Sequence, residues 1–163
     1  VIYLLDANVL IRAHEDYYPL DGVPQFWDWL LVTAAAGQIK MPTEIHAEIK
    51  ISTGDLGNWA SDLAVIDALV LQEDIDPALL NQVLEQGYGP DLTEADIEKI
   101  GRDGFLVAYA LAAPDNRTVI TKENSKPSAQ KGNRKIPDVC NAVGVQWSRD
   151  FPVFKELGFK ISK

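Results

Sequence analysis

The chain opens with VIYLL and ends that apolar run at an acid, Asp6. A strand with no polar residue has no face to offer water. It must be covered on both sides, and the usual solution is a parallel sheet held between layers of helix. QIKMP (Gln38 to Pro42) and TVIT (Thr118 to Thr121) read as two more such strands, and Val145 to Trp147 as a short last one. Asn58 to Glu73 stays open between one helix and a helix followed by a strand at ALVLQ. Helical signals fill the gaps. NVLIRAHE reads as a first helix, and Gln25 to Ala36 as a second, halted by Gly37. Thr43 is placed to cap a helix over Glu44 to Ile51. Asp76-Pro77 starts another that ends near Gly87. TEAD (Thr93 to Asp96) has the spacing of a capping box. The helical pattern it opens runs to Ala113, with break signals at Gly101 to Gly104. Pro137 and Gly144 bracket a short helix, and Phe151 to Leu157 forms the last. Strands alternating with helices predict an α/β chain, a three-layer α/β/α sandwich around a central, mostly parallel sheet. At 163 residues one domain over 1–163 is expected.

Ligands of such sheets bind beyond the carboxyl ends of the strands, and acids collect at those positions. Asp6 follows the first strand, with Asn8 close by. Glu44 and Glu48 lie one helical turn after the second, Asp103 heads the apolar stretch Phe105 to Ala113, and Glu123 follows TVIT. Carboxylates from four segments brought to one edge repel one another and raise each other's pKa. A divalent cation removes that penalty. Oxygen ligands without a His or Cys pattern suit Mg²⁺ or Mn²⁺, and paired ions of this kind catalyse phosphodiester cleavage. Each acid also has a plainer role open to it. Asp6 and Asp103 can cap helices, Glu123 can sit in a solvated loop, and Glu44 reads best as an exposed surface acid.

Composition limits the partners. Lys plus Arg total 15 against 24 Asp plus Glu, a formal charge of −9, so the surface as a whole does not grip a polyanion. The one dense basic stretch holds Lys122, Lys126, Lys131, Arg134 and Lys135. Beside a metal site these residues could hold RNA phosphates; the alternative is a solvated, mobile loop. His14 and His46 are isolated and read as packed or surface residues. Cys140 reads as core. Trp27, Trp29, Trp59 and Trp147 read as packing or interface residues rather than base-stacking platforms. A lone cysteine rules out an internal disulfide. With no signal-peptide pattern and no membrane-length apolar run, the expected setting is the cytoplasm, away from membranes.

Four segments, in order, resemble PIN-domain nucleases, VapC-type toxins and an uncharacterised PIN-like group among them. YLLDANVLI resembles their opening strand, MPTEIHAEI the segment with the helix glutamate, DGFLVAYAL the Asp-led helix, and VITKEN the strand followed by Thr-x-Asp, with Glu123 where Asp is usual. KIPDVCNAVGV resembles the tail of the PIN-like group and adds Asp138 as a further acid, while Gly54 to Gly89 matches no motif of the family. The resemblance implies a metal-dependent endoribonuclease of a toxin–antitoxin pair. Asp6, Glu48, Asp103 and Glu123 would hold Mg²⁺ or Mn²⁺, with Asn8 and Thr121 orienting carboxylates or water. It also implies RNA as substrate, an antitoxin protein as inhibitor, and a homodimer. Two rivals remain. An aspartyl-phosphate phosphohydrolase would want a second Asp two residues after Asp6, where this chain has Asn8. A metal-free or inactive binding module on the same fold is consistent with the acidic charge and with Glu123.

Overall fold

The computed structural model describes Val1–Ile161. The opening apolar run becomes β1 (Ile2–Leu5), the middle strand of a sheet ordered β3-β2-β1-β4-β5. Its companions are β2 (Ile39–Pro42), β3 (Val70–Leu71), β4 (Arg117–Ile120) and β5 (Gln146–Ser148). Every pairing is parallel. Leu4, Leu5, Ile39, Met41, Val119 and Ile120 are fully buried, which is why these strands carry no alternating polar face.

A parallel neighbour is reached only by a crossover, and crossovers are right-handed. The chain steps outward from β1 to β2 and β3, then returns past β1 to β4 and β5, so the two halves place their helices on opposite faces. On one face, α2 (Pro24–Ala35) and α5 (Leu63–Leu69) pack on each other and on β2. On the other, α8 (Asp103–Leu111) lies across β1, β2 and β4, and α9 (Ile136–Val143) covers β5. The remaining helices are α1 (Ala7–Arg12), α3 (Thr43–Lys50), α4 (Asp55–Ser61), α6 (Pro77–Gln82), α7 (Glu94–Ile100) and α10 (Asp150–Glu156). This is the expected α/β/α sandwich, with a sheet that is parallel throughout. Among the described residues no helix is long and apolar enough to cross a membrane.

The apolar stretch of α8 does form the buried central helix, with Leu106, Val107, Ala108 and Ala110 out of water. The tryptophans pack. Trp27 Nε1 donates to the Tyr18 carbonyl at 2.7 Å, Trp59 meets Trp27 edge-on at 4.8 Å, and Trp29 and Phe154 flank Phe26 between α2 and α10. Cys140 is fully buried. His14 accepts a hydrogen bond from the Leu20 amide, and buried His46 pairs with the Ala60 carbonyl.

One local reading changes and two gain detail. Thr43 is not a cap: β2 runs straight into α3, Pro42 takes the cap position, and Thr43 is already helical. The open stretch resolves as α4, α5 and β3, hinged at Asp62, whose carboxylate accepts the Ala64 amide at 2.8 Å. The first helix and the one opened by Pro77 each end in a wider π-helical turn, at Ala13–Tyr17 and Val83–Tyr88.

Candidate functional site

β1 and β4 are hydrogen-bonded neighbours at the point where the sheet order reverses, and in sheets of this kind the crevice is expected at the carboxyl ends there. Asp6 is stitched into its wall: the Asp6 amide donates to the Ile120 carbonyl at 3.0 Å, and the residue is 3% exposed. It occupies the cap position of α1, yet its side chain makes no capping hydrogen bond. Asp103 is the first residue of α8, not its cap. The chain reaches it through Gly101, whose φ of 55° ends α7 in a backbone shape that other residues resist. Glu48 comes from α3, which follows β2, and Glu123 from the loop after β4.

These four acids act on one another. Burial, then the charges of Glu123 and Glu48, push the Asp6 carboxyl up to about 7, against a smaller pull from the Ala7 and Asn8 amides. Burial, then Asp6, Glu123 and Glu48, push Asp103 up to about 8, with Lys135 opposing. Burial also raises Glu48, opposed by the Arg102 guanidinium. It raises Glu123 too, opposed by Lys135 and the Ile136 amide and reinforced by Asp138. The nearest direct ion pair is Lys135 Nζ to Glu123 Oε2, at 4.0 Å.

Glu44 and Glu48 part company. Glu44 is half-buried rather than exposed, and the Tyr109 hydroxyl donates to its Oε1 at 2.9 Å. That contact holds it toward the far end of α8, whereas the Glu48 charge acts on Asp6 and Asp103. Asn8 is exposed and bears on Asp6 through its backbone amide. Thr121 is fully buried, and its Oγ1 accepts the Glu123 amide at 3.0 Å, which fixes where Glu123 leaves the sheet. Asp138 is a tether. It accepts Ser125 Oγ at 2.5 Å and the Lys126 amide at 2.7 Å.

The basic stretch divides. Lys122 is not free for RNA: its ammonium pairs with buried Asp150 at 2.7 Å and lies over the Tyr17 and Phe151 rings. Arg134 is also committed to the fold, donating to the Gly87 and Asp138 carbonyls. Lys126 and Lys131 are exposed, and Lys135 faces the crevice. Two neighbours of the site went unnoticed in the sequence. Arg102 precedes Asp103 directly, a cation beside a candidate acid, and that adjacency was a usable signal. Tyr88 is 3% exposed, and burial followed by Asp103, Glu123, Cys140 and Asp6 raises its phenol. It lies in the stretch without a motif, where nothing marked it.

Among the described residues, no group of three or more His, Cys, Asp or Glu side chains is drawn in tightly enough to hold a metal ion as it stands. By donor chemistry the four carboxylates nevertheless suit a hard divalent cation. They are all oxygen and mutually repelling, with Lys135 and Arg102 as opposing cations.

A family model described as a domain of unknown function, DUF4411, matches residues 3–161. No curated protein matches the chain at a significant level.

Proposed function

The chain belongs to the DUF4411 family, and from its carboxylate crevice we propose that it is a divalent-metal-dependent endoribonuclease, the toxin of a toxin–antitoxin pair. One observation carries this reading. Asp6 and Asp103, remote in sequence, share a crevice with Glu48 and Glu123 in which their carboxyls are pushed up to about 7 and about 8. Perturbation by burial plus specific charged neighbours is a mark of functional sites. Asp6, Glu48, Asp103 and Glu123 would hold Mg²⁺ or Mn²⁺. Bound there, the metal supplies polarisation of the phosphate and a more acidic attacking water.

The chain's own groups do the rest. Lys135 and Arg102 place positive charge on the crevice, beside Glu123 and Glu48. They offer a phosphodiester two counter-charges in an otherwise acidic protein. Thr121 fixes the start of the Glu123 loop, and the Tyr88 phenol is buried within reach of the Asp103, Glu123 and Asp6 charges. The same reading carries RNA as substrate, an inhibitory antitoxin protein, a second copy as partner, and the cytoplasm as setting.

The test is cleavage of labelled RNA by the full chain in Mn²⁺ and in EDTA, with Asp6→Asn and Asp103→Asn in parallel. Wild type should cut only with the metal. Both variants should lose at least about a hundredfold in rate. Cleavage at the same rate in all three proteins would assign it to a contaminant or another site. The Lys135–Glu123 ion pair favours one rival, a metal-free binding module on the same fold. Calorimetric titration with Mn²⁺ separates them, because the module takes up no metal.

A further inference from the structure

We propose that the loop after β4 forms a nucleotide subsite. It would take one nucleotide of single-stranded RNA next to the bond being cut, with its phosphate between Lys126 and Lys135 and its base edge on Gln130 and Asn133. This inference rests on the ribonuclease reading for the identity of the strand.

The loop is built rather than loose. Both oxygens of buried Asp138 hold it, at Ser125 and at the Lys126 amide. Arg134 ties its far end to the Gly87 and Asp138 carbonyls. The Gly132 amide donates to Asp96 Oδ1 at 3.2 Å. Three turns close within it, from the Ala129 amide to the Lys126 carbonyl at 2.9 Å, from Asn133 to Gln130 at 3.0 Å and from Arg134 to Lys131 at 3.0 Å. A loop held this way has met its ordering cost before a ligand arrives.

What it encloses differs in character from the rest of the surface. A cavity of about 420 Å³ is lined by Lys126, Ser128, Ala129, Gln130, Asn133 and Lys135. In a chain of charge −9 this lining holds two cations, two carboxamides and a hydroxyl, and no carboxylate. The volume lies in the range of small-molecule sites. A carboxamide presents a donor and an acceptor together, the pairing that reads a base edge. The lining contains no aromatic ring, so hydrogen bonding rather than stacking is the means available. Lys135 belongs to both places. It lines the cavity, and its Nζ is 4.0 Å from Glu123 in the crevice. A strand with one phosphate at the crevice therefore enters the cavity with its neighbouring nucleotide.

The test uses the full chain and fluorescent RNA pentamers of uridine, cytidine, adenosine and guanosine. Binding is read by anisotropy in Ca²⁺ at several salt concentrations. Lys126→Ala should weaken all four by about tenfold and lower the salt slope by about one charge. Gln130→Ala and Asn133→Ala should change the order of preference among the four by about fivefold or more. An order unchanged in both carboxamide variants would overturn the subsite, whatever Lys126→Ala does. Hydrolysis of bis(p-nitrophenyl) phosphate in Mn²⁺, a diester too small to span both places, should be the same in the two carboxamide variants and the wild type. Failure of the wild type on both this diester and RNA would sink the ribonuclease reading, and the pentamer ranking would still report on the cavity.

Discussion

Burial and charged neighbours push the Asp6 and Asp103 carboxyls up to about 7 and about 8, well above the ordinary carboxylate range. Asn has nearly the shape of Asp without the charge. In metal-free protein at pH 8, Asp6→Asn and Asp103→Asn should therefore be more stable than wild type, each by about 1–3 kcal/mol. At pH 5 the native carboxyls still hold their protons and only the ionisation of the unfolded chain counts, so the gain should be clearly smaller than at pH 8. Urea denaturation at the two pH values in EDTA checks this, and equal ΔΔG at both would mean the two charges do not meet. Lys122 invites an opposite expectation. Its side chain and that of Asp150 are 11% and 4% exposed, and Asp150 Oδ1 has no partner among the described residues. Lys122→Ala strands a buried carboxylate and should cost about 3–5 kcal/mol, while leaving the salt slope of RNA binding unchanged. A stable variant with a flattened slope would return Lys122 to the RNA surface. The sequence could not separate Lys122 from Lys126, because nothing in a run of loop lysines tells which one folds back onto an aspartate 28 residues away. Asp6, Glu48, Asp103 and Glu123 could be picked out as candidates because each lies on or just after an element whose apolar pattern is readable in the sequence.

Elements were legible where punctuation agrees with period. Thr93 and Asp96 do form a reciprocal capping box on α7, and Pro137 and Gly144 do bound α9. The α4–α5–β3 stretch was not legible. One extended residue, Asp62, ends one helix and caps the next with no interval between them, so the apolar period shows no gap. The loop between β4 and α9 stayed open in the sequence for a related reason. Its polarity allows solvent, but its order comes from Asp138, Asp96 and Gly87, which lie outside it. Gly132 is the position where this can be tested. A Cβ there would stand 2.9 Å from the Asp96 Cα, so the two backbones could not keep their approach. Gly132→Ala should raise amide hydrogen exchange across 124–135. It should slow RNA cleavage more than cleavage of the small diester, because Asp6, Glu48 and Asp103 lie on other elements and Glu123 is fixed at the loop's start by Thr121. Exchange confined to its wild-type level would show that the loop keeps its shape without this contact.

Across the molecule, the sheet order turns sequence distance into proximity. β1 and β4 are neighbours, so Asp6 and Glu123 meet, and the same packing adds Arg102 and Tyr88 from segments with no shared pattern. The order follows from crossover rules once the strands are known, but the residues that meet across it do not. The result is a protein of charge −9 that concentrates part of that charge in one buried place. Linkage fixes how its stability responds. The pKa values of Asp6 and Asp103 are raised on folding, so between about pH 4 and pH 8 the native state binds more protons than the unfolded chain. Stability of the metal-free protein must then fall as pH rises through that window, by up to about 1.4 kcal/mol per pH unit for each proton retained. A divalent cation competes for the same carboxylates and binds only once they ionise. Millimolar Mg²⁺ or Mn²⁺ should raise the melting temperature strongly at pH 8 and hardly at pH 5, flattening the decline. Melting curves from pH 5 to pH 8.5, in EDTA and with metal, give the measurement. Two profiles running parallel across that range would mean that protons and cations do not compete at the crevice, and would remove the metal from the proposed chemistry.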